Sequence, residues 1–117
     1  MNARVDAHWK KCAHDTWCAF DTVVLPDANA SGMLLIWSGS VENILYVGQG
    51  GIAKNLRWAR QFEPIATQRN LFVTWATLSE DHQNGVRNYL SARLSAVHRD
   101  RPTLDPPIAV NLPWESP

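Results

Sequence analysis

Several groups of residues in this chain of 117 amino acids have types and spacings that could do chemistry. Tyr46-Val47-Gly48-Gln49 presents a phenol just ahead of a glycine-rich break, and Lys54, Arg57 and Arg60 follow at three-residue intervals. Arginine suits phosphate because its planar fork donates two parallel hydrogen bonds. Together with Arg87, these cations could form a positive surface that anchors a nucleic-acid backbone, with Tyr46 available to stack or donate. Trp58 lies off the apolar face of the same stretch and could stack on an unpaired base. The plainer alternative is a solvated helix edge with Trp58 packed beneath the arginine stems. Both readings stay open on sequence alone.

Two further clusters carry less. His8, Cys12, His14 and Cys18 offer four ligand types that zinc accepts. His8 and Cys12 share a helical face, but His14 and Cys18 point elsewhere if the helix continues, so ordinary helix residues are expected. A Cys12–Cys18 disulfide is not expected in a reducing compartment. Gly48-Gln49-Gly50-Gly51 lacks the lysine and hydroxyl pair of a phosphate loop. It reads as a tight turn needing positive φ, with a helix N-terminus behind it that could hold one anion.

The elements that must position these groups follow from periodicity. Apolar spacing at Val5, Trp9, Cys12 and Ala13 predicts an N-terminal helix, and residues 22–25 a short extended piece. Turn chemistry fills residues 26–32. Residues 33–37 form a continuous apolar run of strand length, as expected of a strand buried on both faces. A polar link leads to Ile44-Leu45-Tyr46-Val47, so a hairpin is expected. Residues 52–62 read as a helix with Ile52, Leu56 and Ala59 inward, stopped by Pro64. Residues 71–77 form a third strand. Ser79 is placed to cap a helix over about residues 80–98, with Val86, Tyr89, Leu90, Leu94 and Val97 as its stripe. The stretch 101–113 is proline-rich and irregular, with residues 108–110 as an edge segment. The expected fold is a small α+β domain: a short, mainly antiparallel sheet flanked by helices, β–β–α–β–α in order, with a helical N-terminal extension. The extension covers residues 1–31 and packs on the domain proper, residues 32–117.

Composition agrees with a single globular unit, 45% apolar and 19% charged. No apolar run reaches membrane-spanning length, and residues 1–6 lack a signal-peptide core, so the expectation is a cytoplasmic domain without a membrane partner. Eleven basic and eleven acidic residues cancel, but residues 54–101 hold eight of the basic groups and only four acids. The six tryptophans are expected to fill the core.

Gly32-Met33-Leu34, eleven further residues, then Tyr46-Val47-Gly48-Gln49-Gly50, followed by a helix and the β–α order, resembles the GIY-YIG nuclease family. The likeness runs from about Gly32 to Asn111, the latter matching a late asparagine of the family. The resemblance implies two antiparallel strands carrying the paired motif. It also implies a catalytic arginine on the next helix and a glutamate on a later helix that holds one Mg²⁺ or Mn²⁺. Several positions depart from that pattern. Leu34 stands where the first motif ends in tyrosine, while Tyr46 keeps the second. Ile52 and Leu56 place Asn55 at the arginine position; Arg57 fills it only if Gly50-Gly51 shifts the helix start. Ala59 stands for a histidine common in the family, and Arg87 for the metal-holding glutamate. A fixed positive charge there opposes a divalent cation. The leading expectation is therefore a nuclease-like domain without the catalytic set, binding nucleic acid, DNA foremost, or regulating. The first alternative is an active metal-dependent DNA endonuclease using Tyr46 and Arg57, and the second a protein-interaction domain.

Overall fold

The computed structural model describes residues 4–25, 29–40, 43–99 and 103–115. Strands β1 (Cys18–Ala19), β2 (Ser31–Ser38), β3 (Ile44–Gly51), β4 (Leu71–Thr77) and β5 (His98–Arg99) form one sheet in the order β1-β4-β2-β3-β5. The first four pair antiparallel, and β5 adds a short parallel edge opposite Tyr46 and Val47. Helices α1 (Ile52–Gln61) and α2 (Glu63–Ala66) connect β3 to β4, and α3 (Glu80–Leu94) follows β4. The expected α+β fold and its β–β–α–β–α order are what the chain adopts.

Strand β2 sits at the centre because both its faces are apolar. Met33, Leu35 and Trp37 enter one core with Val47, Val86 and Leu90, the side covered by α3. Leu34 and Ile36 enter the other with Tyr46, Ile52, Leu56, Ala59 and Ile65, the side covered by α1 and α2. The two-residue repeat of a strand divides a continuous apolar run between two faces in this way. Trp37 is the hub of the first core, 1% exposed, with Trp17, Phe72 and Trp114 rings around it. Trp9 packs on that core and Trp75 is buried in the second, so only Trp58 remains outside, 45% exposed.

The N-terminal extension is not helical. Residues 4–12 form no helix, with isolated bridges at Val5 and Cys12, and only a single 3₁₀ turn (Ala13–Asp15) follows. Tertiary partners take the backbone groups that a helix would use: Val5 N donates to Ala109 O, and Lys10 N to Trp75 O. Trp9 Nε1 donates to the Asn111 carbonyl at 2.8 Å. The expected separation of Cys12 and Cys18 is likewise corrected. The turn folds the chain back until their Cα atoms lie 5.1 Å apart, and the two are disulfide-bonded. The extended piece expected at residues 22–25 falls earlier, at β1. Pro64 does not close the helical region but opens α2, near whose start its missing N–H is no loss. Helix α3 ends at Leu94 because Ser95 turns left-handed, φ 51°, which leaves Val97 outside the stripe and exposed. Ser79 occupies the N-cap position, but its hydroxyl pairs with His82 Nδ1 and caps no backbone group. The expected turn at 26–32 and the start of the proline-rich stretch at 101–102 lie partly outside the described residues. No helix is long and apolar enough to cross a membrane among the residues described.

Candidate functional site

The hairpin brings Leu34 opposite Gly48 and Ile36 opposite Tyr46. Tyr46 turns its ring over Gly48, so closely that a β-carbon there would meet Cε2 at 2.7 Å and the hydroxyl at 2.9 Å. Any side chain at Gly48 would displace the phenol. Helix α1 starts at Ile52, directly behind Gly51, so the paired glycines do not shift its frame. That frame sets Asn55 against the phenol: the Tyr46 hydroxyl donates to Asn55 Oδ1 at 2.6 Å. The amide is itself fixed, with Nδ2 donating to Gln49 O at 2.9 Å and Gly51 O at 2.8 Å. Gln49 in turn donates from Nε2 to Asn84 Oδ1 on α3 at 2.7 Å. One chain of carboxamides and a phenol thus links β3, α1 and α3.

The four cations named from sequence do not converge. On a helix of 3.6 residues per turn, Arg57 and Asn55 lie on nearly opposite sides of α1. Arg57 faces residues 23–25 across a cleft of about 280 Å³ that Ala53, Leu56 and Arg60 also line. Arg60 is occupied structurally. Its Nε and Nη2 donate to Phe20 O at 3.0 and 2.8 Å, and Nη2 also reaches Val23 O at 2.7 Å. Arg87 lies within α3 at 7% exposure, inside the protein rather than on its surface. Lys54, Arg57 and Arg60 are all exposed, and neither Lys54 nor Arg57 forms an ion pair among the described residues.

Asn111 stands apart from Tyr46. Its Oδ1 accepts from Ala7 N at 2.6 Å and its Nδ2 donates to Ala7 O at 3.0 Å, so it clamps the N-terminal segment to the C-terminal one. Gly32 pairs with Thr77 in β4, where a β-carbon would lie 2.0 Å from the Ala76 carbonyl oxygen. The close packing of β4 on β2 therefore needs glycine at this position.

Sequence reasoning missed Asn84 and the part played by Asn88. Asn88 Nδ2 donates to Thr103 O and Asp105 O, at 3.1 and 2.9 Å, holding the irregular C-terminal stretch. The available signal was a run of carboxamides, Gln83, Asn84 and Asn88, inside a helix where asparagine is intrinsically poor. The donors do not suit a divalent cation: Asn55 and Arg87 offer no carboxylate, and no group of three or more His, Cys, Asp or Glu gathers among the described residues. His8, Cys12, His14 and Cys18 form no such group either, since the two sulfurs are bonded to each other.

Around Tyr46 the rings continue outward along α1. Tyr46 and Trp58 have centroids 5.2 Å apart, Trp58 and Phe62 stack at 4.7 Å, and His98 meets Phe62 edge-on at 5.2 Å. No protein-family model, curated protein or solved structure matches this chain.

Proposed function

We propose that this chain is a GIY-YIG-type domain that binds nucleic acid, DNA foremost, without hydrolysing it. The observation that carries the reading is the Tyr46–Asn55 hydrogen bond of 2.6 Å, which joins the phenol to a neutral amide. Hydrolysis of a phosphodiester with one metal needs a cation beside the developing charge and a carboxylate that holds the metal. Asn55 stands at the first position and Arg87 at the second. An amide tied to two backbone carbonyls neither carries charge nor relays a proton.

The resemblance itself draws support from the order β4-β2-β3, from the hairpin carrying Gly32 and Tyr46 on facing strands, and from a helix that starts directly behind it. Binding is supported by α1, which carries Lys54, Arg57 and Arg60 and no acidic residue. With Arg60, itself exposed, held by carbonyls, Lys54 and Arg57 are the cations left to meet phosphate.

The test is fluorescence anisotropy of end-labelled DNA, followed for hours with Mn²⁺ present. The expected result is a stable rise that falls with added salt and is weakened in Arg57→Ala. A rise that then decays as the label is released would replace this reading with an active nuclease. A flat trace across oligonucleotides of every shape would refute nucleic-acid binding and direct attention to a protein partner.

A further inference from the structure

We infer that the surface of α1 takes single-stranded rather than duplex nucleic acid, with an unpaired base placed on Trp58; this rests on the binding function proposed above. Trp58 is the one tryptophan left outside the core, and it stays 45% exposed although Phe62 and Tyr46 both contact it. Those contacts fix the indole before anything binds, so stacking on it orders little that is not already ordered. Lys54 lies one helical turn before Trp58 and is exposed, whereas Arg57, also exposed, turns towards the cleft at residues 23–25. An exposed fixed aromatic with a cation one turn away matches a planar base beside its phosphate.

Charge decides between single strand and duplex. The chain is neutral overall, and of the three exposed cations on α1 Arg60 is already bonded to Phe20 O and Val23 O, which leaves Lys54 and Arg57 as the pair to meet phosphate. Two phosphate contacts release about two counterions, far fewer than the six to ten of a protein that grips duplex through its backbone. The rest of the affinity must come from the aromatic surface. A duplex hides its base faces within the stack, whereas a single strand presents them.

The experiment compares a labelled 12-nucleotide single strand with the same sequence closed into a hairpin duplex, titrated with wild type, Trp58→Ala, Trp58→Phe and Arg57→Ala. The single strand is expected to bind about tenfold more tightly than the duplex. Trp58→Ala should lose about tenfold and Trp58→Phe retain most of the affinity, as base stacking on an aromatic ring requires. The dependence of log affinity on log salt should be shallow, with a slope of about −1.4 for two contacts to a single strand. Should Trp58→Ala unfold, the wild-type indole N–H resonance of Trp58, assigned by its absence in Trp58→Phe, is followed during titration with the single strand. Its movement supports the inference, and its standing still while other resonances move overturns it. Equal affinity for duplex, or a folded Trp58→Ala that binds as wild type does, would overturn the single-strand inference and leave nucleic-acid binding intact. Binding to neither probe would remove both.

Discussion

If the Tyr46–Asn55 bond closes the site, its two ends must be energetically coupled. Asn55→Ala removes three hydrogen bonds, to the Tyr46 hydroxyl at 2.6 Å, Gln49 O at 2.9 Å and Gly51 O at 2.8 Å. A net hydrogen bond is worth about 0.5–1.5 kcal/mol, and the solvent-exposed one to Gly51 adds least, so the expected loss is about 2 kcal/mol. Tyr46→Phe removes the shared bond from its other end and should lose about 1 kcal/mol for it. The double variant then loses about 2 rather than 3 kcal/mol, a coupling of about 1 kcal/mol between the two positions. Urea denaturation followed by tryptophan fluorescence measures it. With a slope near 1.5 kcal/mol/M, Asn55→Ala should lower the midpoint by about 1.3 M. Strict additivity, within about 0.3 kcal/mol, would mean that the phenol and the amide do not depend on each other. Asn55 would then not stand in for a catalytic cation beside Tyr46, as proposed above.

Three more outcomes follow from the geometry. Gly32→Ala drives a β-carbon to 2.0 Å from the Ala76 carbonyl, a contact with backbone that cannot rotate away. It should destabilise by about 3 kcal/mol or more, seen as a collapsed melting temperature or failed expression of folded protein. Arg60→Ala should lower stability by about 1–2 kcal/mol by releasing the carbonyls of Phe20 and Val23, and weaken DNA binding less than Arg57→Ala does. Arg57→Ala should do the reverse, and parallel melting and anisotropy measurements on the two variants test the division. Reducing the Cys12–Cys18 bond frees a loop closed across six positions. The expected loss is about 2 kcal/mol, or roughly 8 °C in melting temperature, read by calorimetry with and without dithiothreitol. An unchanged melting temperature would show that the 3₁₀ turn holds without the bond.

What could be read from sequence was whatever the chain repeats locally. The run at 33–37 announced a strand covered on both sides, and the spacing of Ile52, Leu56 and Ala59 placed α1 to within one residue of its observed end. The same frame pointed to Asn55 with Arg57 left open as the alternative, and the fold puts Asn55 against Tyr46. What could not be read depends on partners distant in the chain. Val5, Trp9, Cys12 and Ala13 mimic one face of a helix, yet their segment pairs with residues about a hundred positions away, and those bonds override a weak local preference. Three evenly spaced cations on α1 look alike in sequence. Only the fold reveals that Arg60 meets carbonyls of the chain behind β1. Arg87 shows the same limit: helical periodicity places α3's stripe on Val86 and Leu90, yet Gln83, Arg87, Asn88 and Ser91 are buried as well.

The Asn111 clamp has a mechanical consequence. Val5 bridges Val110 in parallel, so the segments leading towards the two chain ends leave this contact in opposite directions. A pull on both ends therefore loads the Val5–Ala109 bond and the two Asn111–Ala7 bonds together, in shear, instead of peeling them one after another. The first barrier to stretching is set by this short parallel seam, ahead of the sheet it covers. Tension along the chain is thus shared at the outset between backbone and the side chain of one asparagine.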